Sequence, residues 1–322
     1  MKLARLKKYV NNILIADPLH EHLVDGLKKA GFSVLYMPDI TPEKLVEEIK
    51  HIEGLVIRSK MFLSADVLQQ AKNLVFIARA GAGMDNIDEV FATTKGIFCF
   101  NAGEANADAV GEHTVGMMLM LLNKLAIANI QVKNKIWLRE ENRGYELAGK
   151  TVGIIGFGNT GKAVAKKLSG FNVNVLAYDK YLKNYGNSYA KQASMSEIFT
   201  KAHILTLHVP LTSITQNMVN SAFINRFKQP FYLLNLSRGK VVDTKSLVKA
   251  MQQGKILGAA LDVLENENLN QLTWQQQKHF NFLASSPKTV LSPHIGGWTY
   301  ESYYKISNVL LNKILHMFEP DC

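Results

Sequence analysis

Gly156-Phe157-Gly158-Asn159-Thr160-Gly161 follows the apolar run VGII and opens an amphipathic stretch. A glycine turn between strand and helix is suited to a phosphate. The first glycine permits a tight turn, the second lets backbone approach a pyrophosphate, and the third lets helix pack on strand, while the helix start offers free N–H groups. Asp179 closes the next apolar run, VLAYD, about 18 residues after Gly161, where a carboxylate hydrogen-bonds the adenosine ribose and repels a 2′-phosphate. Together these residues predict a dinucleotide site that favours NAD over NADP, with Lys180 and Lys183 close behind leaving some NADP tolerance.

Arg238 stands in the turn Ser237-Arg238-Gly239 after the apolar run FYLLNL, on the edge where ligands bind in open α/β sheets. Its planar fork suits a bidentate grip on carboxylate and carbonyl oxygens, which a lysine does not reproduce. Gly81, Ala82 and Gly83 form a turn whose backbone N–H groups suit a second carboxylate contact, as anion-binding nests do. Glu265 and Glu267, both in ALDVLENEN, are the nearby carboxylates able to orient a histidine, and the residues alone do not choose between them.

Strands and helices must hold these groups. From Ile13 the chain alternates apolar runs with amphipathic stretches: ILIA, 21–30, SVLYM, 42–51, GLVIRS, 65–72, LVFIARAG and IFCF. That alternation implies a parallel sheet with helices on both faces, because a parallel crossover must pass back over the sheet. Thr41 followed by Pro42 reads as a helix start. One long helix is predicted from 105 to about 130, with Met117, Met118 and Met120 packing a core or a subunit interface. A second rhythm of six apolar runs extends from Thr151 to TVLSPH, and a last helix follows over 300–316. The polar, Gln-rich segment 266–278 reads as a surface loop with a short helix. The fold class is α/β, with two doubly wound parallel-sheet domains joined by helices rather than by a tether.

Composition narrows the class. At 322 residues the chain exceeds the size at which one core usually stops growing. A 47% hydrophobic, 20% charged composition excludes extensive disorder. The net charge of +10 invites a polyanion, but the dense basic stretch is confined to Lys2, Arg5, Lys7 and Lys8, without the interleaved aromatic residues of a nucleic-acid surface. No nucleic-acid partner is expected. The apolar run 13–16 is too short for a signal core and no later run approaches membrane length, so a cytoplasmic protein without a membrane role is expected. Cys99 and Cys322, far apart, suggest neither a disulfide framework nor a metal cluster.

Three strings, NLSRGKVVD, ALDVLENE and SPHIGG, resemble the D-isomer-specific 2-hydroxyacid dehydrogenase family in order and spacing. With LHVPLT (207–212) and RAGAGMDNID (79–88), the resemblance extends over most of the chain. It implies an enzyme moving a hydride between nicotinamide and C2 of a small anionic D-2-hydroxy or 2-oxo acid. The same resemblance implies a flavodoxin-like substrate-binding domain from 1–103 and 298–322, a Rossmann NAD-binding domain from 104–297, and a homodimer paired through the helix near 111–130.

By the same resemblance, Arg238 binds and polarises the 2-oxo acid. Among nine histidines His294, between Pro293 and the pair Gly296-Gly297, is the acid/base, working where histidine titrates. Family members place the partner glutamate five positions after an aspartate and before a proline. Counting from Asp262 gives Glu267, with Asn268 replacing the proline. Asp262 is expected on the nicotinamide carboxamide, and His208, Val209, Pro210, Leu236, Ser237 and Gly297 along the cofactor. Arg58-Ser59 and Arg79 resemble the family's phosphoglycerate-specific branch, in which two arginines suit a second anionic group. Met61 stands where that branch often has a small polar residue, and a short form without a C-terminal regulatory domain is expected. The alternatives are a glyoxylate/hydroxypyruvate or D-lactate type reductase, and an NAD(H)-sensing, corepressor-like binding protein on the same scaffold.

Overall fold

The computed structural model describes residues 10–318, so Lys2, Arg5, Lys7, Lys8 and Cys322 lie outside the described residues. The chain divides into two units, one running to Asn106 and resuming at Trp298, the other Ala107–Gly297. The first break falls at Asn106, where the sequence reading sets it at 103.

In the first unit, β1 (Asn12–Ile15), α1 (Glu21–Lys29), β2 (Ser33–Tyr36), α2 (Pro42–Glu48), β3 (Gly54–Ile57), α3 (Ala65–Gln70), β4 (Phe76–Arg79), α4 (Glu89–Thr94) and β5 (Phe98–Asn101) alternate without exception. The strands form one all-parallel sheet in the order β2-β1-β3-β4-β5, with Leu14 level with Leu35 and Leu55. This is the flavodoxin-like order. All four residues of β3 are buried, as expected of a strand covered on both faces. Helix starts are fixed locally: Thr41 accepts from the Lys44 N–H with Pro42 in the first turn, and Ser64 and Asp88 cap α3 and α4 in the same way.

The second unit comprises α5 (Ala107–Leu122), α6 (Leu125–Lys133), β6 (Thr151–Ile155), α7 (Asn159–Leu168), β7 (Asn174–Tyr178), β8 (Lys191–Gln192), α8 (Met195–Lys201), β9 (Ile204–Leu207), α9 (Ser221–Asn225), β10 (Phe231–Asn235), α10 (Thr244–Gln252), β11 (Ile256–Leu261), α11 (Trp274–Ser285) and β12 (Thr289–Leu291). Its parallel sheet runs β12-β11-β10-β9-β6-β7-β8. The order reverses between β6 and β9, and the glycine turn leaves β6 at that switch point, where open α/β sheets bind ligands. The last helix, α12 (Tyr300–His316), belongs to the first unit and packs on α1.

Three elements differ from the sequence reading. The long helix over 105–130 is two helices bent by 64°, because Lys124 takes a left-handed conformation and Asn123 turns its side-chain amide back to the Leu119 carbonyl. Met117 and Met118 are buried in the core of this unit, while Met120 is partly exposed. A seventh strand, β8, escaped notice because it is two exposed polar residues at a sheet edge. The 12-residue α11 begins inside the Gln-rich segment and runs beyond it to Ser285, started by a capping box in which Thr273 and Gln276 satisfy each other's backbone. Among the described residues no single helix is long and apolar enough to cross a membrane.

Candidate active site

The three motif glycines answer to different neighbours. Gly156 has φ +92°, and a Cβ there would run into the His208 carbonyl. A Cβ at Gly161 would run into the Gly156 carbonyl. A Cβ at Gly158 would meet nothing within 4 Å, so what excludes a side chain there is not the protein's own packing. Gly158 caps α7 without a side-chain bond, which leaves the N–H groups of Asn159, Thr160 and Gly161 at a helix start facing that open surface. The residues fit a pyrophosphate laid against backbone.

Asp179, at the end of β7, holds this turn in place. Its Oδ2 accepts from the Phe157 N–H at 2.8 Å, and its Oδ1 from Tyr181 and Leu182 N–H at 2.9 and 3.0 Å. Burial pushes its pKa up, but the Leu182, Phe157 and Tyr181 N–H groups outweigh this and hold it below the usual carboxylate range. Asp179 therefore stays charged at neutral pH. His208, at the end of β9, places Nε2 2.9 Å from the Thr206 hydroxyl, while its Nδ1 is buried without a hydrogen-bond partner. Burial drives its pKa down to about 3, so this imidazole is neutral throughout the working range. Val209 packs on Gly156, and Pro210 is exposed beside it.

Arg238, Glu267 and His294 come from the carboxyl ends of three adjacent strands, β10, β11 and β12. Asn235, fully buried, accepts from the Ser237 N–H and hydroxyl and donates to the Arg238 carbonyl, shaping the turn that carries the arginine. Arg238 Nη1 donates to the Ser237 carbonyl at 2.8 Å. A Cβ at Gly239 would run into the Leu264 carbonyl, so the missing side chain lets the arginine turn lie against the loop that bears Glu267. Leu236 is buried behind it, beside Gly296.

His294 Nδ1 lies 3.1 Å from Glu267 Oε2, with the two side chains 46% and 48% exposed. Glu265 instead accepts from the Thr244 N–H at the start of α10, so the geometry separates the two glutamates. The Asn268 N–H donates to the Asn266 side chain at 3.0 Å, a bond that proline lacks the hydrogen to make. His294 has φ +57°, a conformation rare outside glycine and held only when the surroundings impose it. They do: its N–H donates to the Asp262 carbonyl at 2.7 Å, and the next two N–H groups, Ile295 and Gly296, donate to the Asp262 carboxylate.

Asp262 anchors this loop through its side chain as well as its backbone. Its side chain is 2% exposed, and its oxygens already serve Ser292, Ile295 and Gly296, so its first task is to fix the histidine loop. His113 on α5 extends the network, with Nε2 3.1 Å from the Ser292 hydroxyl. Gly297, next in the chain, is half-buried. Nothing in the spacing of the sequence pointed to His113.

In the first unit, Arg58 and Arg79 stand at the ends of adjacent strands β3 and β4. The Arg58 N–H donates to the buried carboxylate of Asp17, after β1, at 2.6 Å. Burial raises the Asp17 pKa, against the Arg58 N–H and the positive charges of Lys60, Arg58 and Arg79. The positive charges of Arg58, Lys60 and Arg79 thus all act on this one carboxylate. The Arg58 guanidinium lies 4.1 Å from the Trp298 ring centre. Gly81 has φ +145°, a conformation that side-chain-bearing residues rarely adopt, and the Arg79 guanidinium lies beside it. Ser59 and Ala82 are exposed, Gly83 is partly so, and the Ala82 carbonyl accepts from Asn101. Asp17, Lys60 and Trp298 were missed in the sequence. The one available signal for Asp17 was an acidic residue directly after the apolar run ILIA.

A doubly wound unit with a glycine turn at its switch point and a histidine–glutamate pair at the same edge defines a dinucleotide-binding protein equipped for proton transfer. Residues 115–296 match the model of the D-isomer specific 2-hydroxyacid dehydrogenase NAD-binding domain. The D-3-phosphoglycerate dehydrogenase of Methanocaldococcus jannaschii is 35% identical over 305 residues, covering 94% of this chain, which spans only 56% of that protein's length. The hydroxypyruvate reductase of Thermotoga maritima is 33% identical over 312 residues, covering 97% of this chain and 98% of that protein. A solved structure of D-lactate dehydrogenase from Aquifex aeolicus, complexed with NAD and lactic acid, superposes with a TM-score of 0.83 at 26% identity over 97% of this chain and all of that one. The chain belongs to the D-isomer-specific 2-hydroxyacid dehydrogenase family, and 115–296 lie in its NAD-binding domain.

Proposed function

We propose that the protein is an NAD-dependent oxidoreductase of D-2-hydroxy acids, acting on D-3-phosphoglycerate and 3-phosphohydroxypyruvate in serine biosynthesis. The observation that carries the chemistry is the His294–Glu267 pair at 3.1 Å, beside the Arg238 turn. The cations Arg58, Lys60 and Arg79 around Asp17 support a substrate with a second anionic group.

NAD, held at the α7 start and by Asp179, would supply or take up the hydride at C2 of the substrate. Arg238 grips the carboxylate and the 2-oxo oxygen, drawing electron density from the carbonyl. His294 delivers a proton to that oxygen in reduction and takes it back in oxidation. Glu267 accepts from Nδ1–H, fixing the tautomer that leaves Nε2 for the substrate and stabilising the imidazolium. We assign substrate binding to the first unit, where Gly81, Ala82 and Gly83 would offer N–H groups to a carboxylate and Ser59 follows Arg58. Asp179 meets the ribose, and the α7 start meets the pyrophosphate.

A second reading, a hydroxypyruvate or glyoxylate reductase, is favoured by the full-length similarity to the Thermotoga maritima protein. The complete Arg238, Glu267 and His294 set argues against a purely NAD(H)-sensing, corepressor-like role. We place the protein in the cytoplasm as a homodimer. The exposed apolar side chains of Leu125, Ile130, Val132 and Trp137 support pairing, which sedimentation would read directly. A panel of 2-oxo acids with NADH and NADPH tests the whole reading. The highest kcat/KM should fall to 3-phosphohydroxypyruvate with NADH, and a preference for unphosphorylated acids would move the protein to the second reading.

Glu267→Gln should lower kcat/KM by about tenfold in both directions with NADH affinity unchanged, because the amide no longer holds the His294 ring in one tautomer and orientation. Glu265→Gln, whose carboxylate accepts from the Thr244 N–H instead, should leave turnover within about twofold. A loss in the second variant and none in the first would reverse the assignment.

Asp179→Ala should weaken NAD by about 1–3 kcal/mol, through lost ribose bonds and a looser Phe157 turn. NADP shares only the second loss and escapes a repulsion, so its affinity should fall less or rise. Equal losses for both cofactors would leave Asp179 as a turn anchor alone.

A further inference from the structure

Arg58 is half-buried, and its hydrogen bonds among the described residues are made by its backbone: the N–H to Asp17 and the carbonyl from Asn86. Its guanidinium instead lies over aromatic rings, 4.1 Å from the Trp298 centroid and 5.9 Å from that of Tyr303, which themselves meet edge to face at 5.9 Å. The difference matters chemically. An arginine paired with a carboxylate has its charge offset and the N–H groups on one edge engaged, whereas one over a ring face keeps its donors, which lie in the guanidinium plane.

Trp298 is well placed to impose that plane. Thr299, immediately after it, closes a capping box with Ser302 at the start of α12, which fixes the backbone there. Yet the indole is 56% exposed, so burial of apolar surface does not account for a tryptophan there.

We propose that Trp298 is a specificity-determining positioning residue, holding the Arg58 guanidinium in the plane from which it binds an anionic group at the end of the substrate remote from the reacting carbon. This rests on the reading that the substrate carries such a group. A phosphate monoester fits, because the fork offers two parallel N–H donors and the edge carries Lys60 and Arg79 as further positive charge.

The test compares KM and kcat for 3-phosphohydroxypyruvate and hydroxypyruvate, with NADH, in Trp298→Leu, Trp298→Phe and Arg58→Gln. Leucine keeps bulk without a ring face and phenylalanine keeps a weaker face, so neither threatens the fold at an exposed position. In Trp298→Leu the KM ratio of phosphorylated to unphosphorylated acid should rise about three- to tenfold while the kcat ratio holds, and Trp298→Phe should recover part of the difference. Arg58→Gln should raise the KM ratio further. Direct binding of 3-phosphoglycerate, measured by calorimetry, should weaken in the same order. If Arg58→Gln moves the ratio and Trp298→Leu does not, the role of Trp298 is overturned and the substrate reading stands. If Arg58→Gln leaves the ratio unmoved, the substrate reading fails, and the positioning role fails with it.

Discussion

Replacing His294 with asparagine should lower kcat/KM by about 100- to 10,000-fold in both directions, the usual contribution of a positioned acid/base. Asparagine tolerates the positive φ of this residue better than most side chains, and the bonds from Ile295 and Gly296 to Asp262 are made by backbone. The loop should therefore keep its shape. NADH binding, followed by fluorescence, should stay within about twofold, so that the loss lies in proton transfer rather than in assembly. A variant retaining more than a tenth of the activity would move the proton to another group.

Arg238→Lys is the second large effect. Lysine carries the same charge and fits the extended backbone of φ −140°, ψ 134° at this position, so the fold has no reason to change. What it loses is the fork: one charge-assisted hydrogen bond to the substrate and the bond that steadies the side chain on the Ser237 carbonyl. At about 1.5–3 kcal/mol for a charged hydrogen bond, kcat/KM should fall by roughly 10- to 150-fold, with NADH affinity unchanged. Activity within a few-fold of the parent would mean that some other residue polarises the carbonyl.

The strands and their parallel sheet were legible because a parallel strand covered on both faces must be apolar throughout, and runs such as VGII and GLVI recur at that rhythm. The glycine turn was legible because its neighbours are backbone atoms that any sequence in this fold would supply. The break at Lys124 was not, since no glycine or proline marks it; it rests on one left-handed lysine and the Asn123 side chain. Among the site residues, Arg238 and Asp179 could be read from their places at strand ends. His294 and Glu267 needed the family resemblance, because the contact between them depends on how two loops fold. Asp262 shows the limit most clearly. Its position was foreseen, but its partners are Ser292, Ile295 and Gly296, about thirty positions away, and no local pattern encodes them. The Arg58–Trp298 contact is longer-range still.

Hydride transfer between nicotinamide and C2 of a D-2-hydroxy acid leaves an isotopic trace in the product, and labelling reads that step directly. The protein would be given 3-phosphohydroxypyruvate, and separately hydroxypyruvate, with NADH deuterated at one or the other C4 position, and the products separated by chiral chromatography with mass detection. The expected result is deuterium at C2 of the D-configured product from one of the two labelled cofactors and from only one, with no label from deuterated water at that carbon. A product of L configuration, label entering C2 from solvent, or no product with either acid would contradict it.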